Sequence, residues 1–181
     1  NGNDILFTSS DGTAQLPHEI EKYDSSNGML CAWVNVPTMS SASDTILYMY
    51  YGNPSATNQQ NVTGTWDGNY KGVWHLAEPS GTVQDSTLNN YDGTPNFSPA
   101  TNQDASGKID GIDSFDGSDY VGMGNIGAIG DFTVEYWMYP TTVSNYKNPM
   151  QTNFVSGGGN AGVRFEMANG GQFSLIVGDD A

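Results

Sequence analysis

The chain has 181 residues, with 20 Asp and Glu against 5 Lys and Arg, and a formal net charge of −15. Five cations are too few to neutralise the phosphates of a nucleic acid or to make a polybasic membrane anchor. One cysteine (Cys31) and two histidines (His18 and His75) exclude an internal disulfide and a Cys/His structural zinc site. No apolar run approaches the ~18 residues of a membrane helix, and the opening Asn1-Gly2-Asn3-Asp4 is polar and acidic, unlike a signal peptide.

Helical periodicity is nearly absent, and the elements predicted in chain order are short strands between Gly, Asn, Ser and Thr turns. Ile5 to Thr8 is the first, closed by Ser10-Asp11-Gly12. His18 to Tyr23 alternates, with Glu19 and Glu21 on one face and Ile20 on the other. Met29 to Val36 follows, with Leu30, Ala32, Val34 and Val36 on one face and Cys31 and Trp33 on the other. Thr45 to Tyr51 is apolar on both faces, which predicts a strand covered on both sides. Residues 53–72 have no hydrophobic period and read as a linker or long loop. Beyond them come Gly72 to Leu76, Ile112 to Asp116, Tyr120 to Met123 and Phe132 to Tyr139. Val163 to Met167 and Gln172 to Val177 flank Ala168-Asn169-Gly170-Gly171, a hairpin signal. Many short strands at this spacing predict an all-β, antiparallel sandwich.

Two stretches resemble known families. Asn3-Asp4-Ile5-Leu6-Phe7-Thr8-Ser9-Ser10-Asp11-Gly12-Thr13, His18-Glu19-Ile20-Glu21, Ala32-Trp33-Val34-Asn35-Val36-Pro37 and Tyr48-Met49-Tyr50-Tyr51-Gly52-Asn53 together resemble DUF2341, a module of large archaeal and bacterial surface proteins. Gly72-Val73-Trp74-His75-Leu76-Ala77-Glu78 opens the second. It continues through residues 85–94, Gly107-Lys108-Ile109, Ser114-Phe115-Asp116-Gly117-Ser118-Asp119-Tyr120-Val121 and Phe132-Thr133-Val134-Glu135-Tyr136-Trp137. That series is similar to the laminin-G-like, concanavalin A-like lectin/glucanase superfamily. The resemblances imply a DUF2341-like β module over 1–55, a linker over 56–71 and a jelly roll over 72–181, in an extracellular or cell-surface protein. Such a jelly roll usually takes about 150 residues, so the domain is expected to be incomplete and the chain a segment of a longer protein.

The densest acidic constellation is Asp104, Asp110, Asp113, Asp116 and Asp119, preceded by Asp85, Asn89 and Asp92. Oxygen-rich loops suit calcium, which the superfamily often holds at the sandwich rim, and Asp85, Asp116 and Asp119 are the preferred ligands. The competing reading is that Asp-Gly and Asn-Asp pairs simply make turns. Glu19 and Glu21 share a face, as paired glycosidase carboxylates must, but the pattern differs from the Glu-x-Asp-x-Glu strand of the superfamily's glucanases, and a solvated face is expected. No Gly-x-Ser-x-Gly elbow surrounds any Ser, His75 between Trp74 and Leu76 reads as a hydrogen-bonded structural His, and Cys31 as a small buried hydrophobe. Gly157-Gly158-Gly159 lacks a following Lys and helix and reads as a loose turn. No catalytic residue is assigned, and a non-enzymatic protein is expected.

Trp66, Tyr70 and Tyr91 lie in polar contexts and are the candidate platform for a sugar face, while Trp33, Trp74 and Trp137 read as core. Asn61-Val62-Thr63 and Asn96-Phe97-Ser98 match the glycosylation acceptor pattern, the second weakened by Pro99. The leading expectation is a surface or adhesion module that recognises glycans or partner proteins, with calcium as the candidate cofactor. The alternatives are a subunit of a layer or filament that self-associates through open sheet edges, and a non-catalytic fragment of a carbohydrate-active enzyme. Neither nucleic-acid binding nor membrane insertion of this segment is expected.

Overall fold

The computed structural model describes residues 2–103, 105–127, 130–142, 147–152, 162–168 and 171–178. It is all-β, with several small antiparallel sheets and almost no helix. The chain divides into two units, Asn1–Ala128 and Ile129–Ala181. No helix among the described residues is long and apolar enough to cross a membrane.

In the first unit, β1 (Leu6–Thr8) pairs with β2 (Gln15–Leu16) through the turn that Asp11 organises. Its carboxylate accepts from the N–H groups of Thr13 and Ala14 and from the Ser9 hydroxyl, which holds its pKa down at about 2. The longest ladder joins β3 (His18–Asp24) to β4 (Met29–Val34), from His18 opposite Val34 to Asp24 opposite Met29. Asp24 closes this hairpin by accepting from the Ser26 hydroxyl and N–H and from the Asn27 amide. A bulge between Ile20 and Lys22 leaves Glu21 as the extra residue, so the strict alternation read from the sequence breaks there.

The stretch expected to be a linker is bound to β3. Asn61 N–H donates to the His18 carbonyl, Ile20 N–H to Gln60 Oε1, and Gln59 N–H to the Asn3 carbonyl. The outer edge of β3 has no strand beside it among the described residues, and these bonds satisfy backbone groups that burial would otherwise orphan. The segment then turns through α1 (Val62–Thr65), whose Gly64 carbonyl accepts from the Asn35 amide.

Two apolar segments depart from expectation. Strand β5 (Tyr48–Tyr50) pairs with β1 alone, at the edge of the sheet, and every residue from Ile46 to Tyr51 is exposed. Burial on both sides requires a layer over each face, and no described segment supplies either. Phe132 to Tyr139 carries no strand assignment, because no described backbone pairs with it; Trp137 is 92% exposed.

Shorter ladders complete the molecule: β6 (Thr94–Asn96) with β9 (Tyr120–Gly122), and β7 (Ala105–Ser106) with β8 (Gly111–Ile112). Gly72 to Leu76, expected as a strand, runs outside any ladder. Fully buried Val83 bridges to Gly93, where a Cβ would sit 2.6 Å from Val121 Cγ1 and 2.7 Å from Met123 Sδ; the space over this glycine is filled by those side chains. In the second unit, β10 (Lys147–Gln151), β11 (Gly162–Met167) and β12 (Phe173–Gly178) form one sheet. The expected β11–β12 hairpin is present in register from Gly162 opposite Gly178 to Met167 opposite Phe173, with Val163 and Met167 buried. A sandwich of two facing sheets is not among these features.

Candidate functional site

The most chemically loaded place in the described structure is built on β3. Glu19 is 8% exposed, and it accepts from Trp66 Nε1 at 2.7 Å and from the Ser86 hydroxyl at 2.6 Å. His75 stands between the two β3 carboxylates, with Nε2 3.3 Å from Glu19 Oε2 and Nδ1 3.6 Å from Glu21 Oε1. Glu21 in turn accepts from Trp33 Nε1 at 2.8 Å, with Cys31 Sγ 4.0 Å away. Trp33 and Trp66 pack at 5.3 Å between ring centres, Trp66 and Tyr70 at 5.0 Å, and both tryptophans lie within 6.5 Å of the His75 ring.

The electrostatics follow from this enclosure. Burial opposes a charge on His75, but Glu19, Glu21 and Glu78 outweigh it and leave the imidazole pKa above its ordinary 6.5. At 3.3 Å the Nε2 approach to Glu19 is an ion pair, lacking the alignment of a directed hydrogen bond. Burial likewise opposes the charge of Glu19, yet His75, Ser86 and Trp66 together bring its pKa below 4.5. The other histidine is the reverse case. His18 is fully buried, meets Phe7 edge-on at 5.3 Å, and has no aligned hydrogen-bond partner on either nitrogen. Burial therefore lowers its pKa, and the carbonyls of Leu16 and Ile5 offset that only in part.

Glu19 and Glu21 are thus not the solvated face that their alternation predicts. Donors from residues 66, 75 and 86 cover them, and a buried carboxylate persists only when so paired. Ser86, Glu19 and His75 are the ingredients of a nucleophilic triad in the wrong order. The hydroxyl donates to the carboxylate and not to the imidazole, so the Ser–His contact on which such a triad relies is not made. The arrangement works as a clamp: it ties the 72–87 stretch to the β3–β4 hairpin. Leu76, immediately after His75, has φ 56°, a conformation costing a non-glycine residue on the order of 1 kcal/mol that this clamp must offset.

Among the residues expected to bind ligands, Trp66 is buried in the clamp, whereas Tyr70 lies half-exposed against its edge. Tyr91 is tied in by its backbone: its N–H donates to Asp85 and its carbonyl accepts from Trp74 Nε1. Of the three rings, Trp66 and Tyr70 are brought into contact. Asp85 is buried and accepts from Val73 N–H, Thr87 N–H, the Thr87 hydroxyl and Tyr91 N–H. It organises the loop from Val73 to Tyr91.

Asp116 and Asp119 do come together, in an exposed turn. Asp119 accepts from Ser98 N–H, the Asn102 amide and Asp116 N–H, and the Ser118 N–H and hydroxyl hold the Asp116 pKa below its usual value. Among the described residues, no three His, Cys, Asp or Glu side chains form a group that could hold a metal ion. Asp104, the turn at Asn169-Gly170 and Gly157-Gly158-Gly159 lie outside the described residues. What the sequence left unassigned was the joining of Glu19, Glu21, Trp66, His75 and Ser86; the pair of alternate glutamates was its only signal.

Residues 1–87 match the family described as Domain of unknown function (DUF2341), just under half of the chain. The match passes the expected limit at residue 55 and takes in every member of the clamp, His75 and Ser86 included. Neither a curated protein nor a solved structure matches the chain.

Proposed function

We propose that this chain is a non-enzymatic interaction module of an extracellular surface protein, and that it holds a partner protein by adding a strand to β5. The observation that carries this reading is the exposed run Ile46-Leu47-Tyr48-Met49-Tyr50-Tyr51, lying along a sheet edge with no described partner. An open edge offers backbone donors and acceptors to an extended chain, and alternate side chains supply contact area. The carboxylate-rich clamp, by contrast, spends its polar groups internally.

Charge selects the occupant. Asp4 and Asp44 flank this run, Asp11 stands beside Gly12, whose carbonyl meets the Tyr50 hydroxyl, and Lys22 is the only Lys or Arg among residues 1–70. A second copy brings another −15, so the fitting partner is an extended segment bearing Lys or Arg, which also stacks on tyrosine faces. The extracellular setting and the laminin-G-like jelly roll over 72–181 belong to this proposal and rest on motif resemblance alone.

A peptide of alternating Lys and Val tests the reading against one of equal charge with Pro replacing Val. The Val peptide alone is expected to bind, more weakly as salt rises, and Tyr48→Lys/Tyr50→Lys is expected to abolish binding. Equal binding of both peptides, or of neither, sinks strand addition. Signal on a glycan array, or self-association rising with protein concentration, would move the assignment to glycan recognition or to an assembling subunit.

A further inference from the structure

We infer that Asn61, and not Asn96, is an N-glycosylation acceptor, an inference that rests on the extracellular reading. Both asparagines head an Asn-x-Ser/Thr triplet, so the triplet alone does not choose between them. Their settings differ.

Asn61, Val62 and Thr63 are all exposed. The Asn61 backbone is anchored, its N–H on the His18 carbonyl and its carbonyl receiving Thr65 N–H. Its side-chain oxygen accepts from Gly64 N–H at 3.0 Å, capping α1, while among the described residues its amide nitrogen and the Thr63 hydroxyl have no hydrogen-bond partner. Gly64 lets the carboxamide lie close to the chain, since a Cβ there would come 2.5 Å from Nδ2. One atom of the side chain is thus committed to the fold and the other is free for chemistry.

Beside it lies an open groove of about 390 Å³ lined by Gln15, Pro17, Asn58, Gln59, Gln60 and Asn61. Its glutamine amides are held by one another and by the chain, Gln15 Nε2 on the Gln59 carbonyl, Gln59 Nε2 on the Thr57 carbonyl, and Gln60 between Ile20 N–H and Asn58 Oδ1, which leaves a fixed polar wall and open space beside Asn61. The Asn96 triplet is instead held at both ends. Asn96 is paired opposite Tyr120 in the β6–β9 ladder, Ser98 N–H donates to Asp119, and Pro99 follows directly.

The reaction balances with a polyprenyl-pyrophosphate-linked saccharide as donor. Asn61 Nδ2 forms a bond to the anomeric carbon, the carbon–oxygen bond to the pyrophosphate breaks, and the amide gives up one proton. The first sugar then lies against the amide-lined groove.

The test exports the full chain, behind an added signal peptide, from a host that performs N-glycosylation, and maps glycopeptides by mass. Wild type is expected to carry glycan on Asn61. Thr63→Ala and Asn61→Asp, which both keep an oxygen to cap Gly64, are expected to lose it, and Asn96→Asp to keep it. No glycan on Asn61 of the exported wild type, or glycan on Asn96 instead, overturns the inference. Amide exchange over residues 58–61 is expected to slow when glycan is present; equal exchange removes the groove's part. The added signal separates the two readings: a parent protein found inside its cell defeats the extracellular proposal and leaves the site result standing.

Discussion

Strand β3 carries Glu19 and Glu21 and is covered, whereas strand β5 carries Tyr48, Met49 and Tyr50 and lies open. On composition alone the two environments would be exchanged, since carboxylates are almost never buried and a tyrosine-rich strand usually packs. The difference lies in what the rest of the chain delivers to each. To β3 come a histidine, an indole N–H and a hydroxyl that satisfy the carboxylates, and residues 59–61 that finish its edge. To β5, among the described residues, comes no strand but β1. Burial in this unit follows the supply of partners for backbone and charge, with hydropathy second.

The largest way to break that contrast is to strip β3 of its acceptor. Glu19→Ala strands Trp66 Nε1, the Ser86 hydroxyl and His75 in a covered site, and should cost about 3–5 kcal/mol of stability. Urea unfolding checks it, and a loss below ~1 kcal/mol would mean that the clamp holds nothing. Asp85→Ala removes the acceptor of three backbone N–H groups and one hydroxyl, with an expected loss of roughly 2–3 kcal/mol by the same measurement.

A smaller effect is read in pH. The folded pKa of His75 is raised above 6.5, so its stabilising contribution is complete below about 6.5 and lost as pH rises through the folded value. That of His18 is depressed, so stability is present above about 6.5 and lost as pH falls through the folded value. Melting midpoints between roughly pH 5 and 9 should show His75→Gln flattening the alkaline limb and leaving the acid limb in place. An unchanged alkaline limb in that variant would place the charge balance elsewhere. The smallest effect belongs to β5, where Tyr48→Lys/Tyr50→Lys should change stability by within ~0.5 kcal/mol per substitution, because among the described residues both lie about half exposed at a sheet edge. A loss of several kcal/mol would show that the strand is packed after all.

The β11–β12 hairpin was legible because its signal is local. Ala168-Asn169-Gly170-Gly171 between two strand-like runs specifies β11–β12, whereas β3 and β4 were legible as alternating runs and not as a pair. The clamp was legible only in half. Glu19 and Glu21 stand two apart in the sequence, but Trp66 and Ser86 are 47 and 67 residues from Glu19, and nothing near them announces a carboxylate partner. The polar neighbours of Trp66 predict an exposed ring, yet it is buried, with its Nε1 on Glu19. Phe132 to Tyr139 shows the converse, since strand propensity does not provide a strand to pair with.

By itself, then, the sequence determined the class: short antiparallel strands, Asx-capped turns, no internal disulfide, and a large excess of acidic over basic residues. Those follow from local dihedral preference, side-chain period and summed charge, which need no distant neighbour. Tertiary structure alone decided that two glutamates are enclosed around a histidine and that six consecutive apolar residues face outward. Each depends on which remote segment arrives to complete a hydrogen bond, balance a charge or cover a face, and no local pattern carries that information.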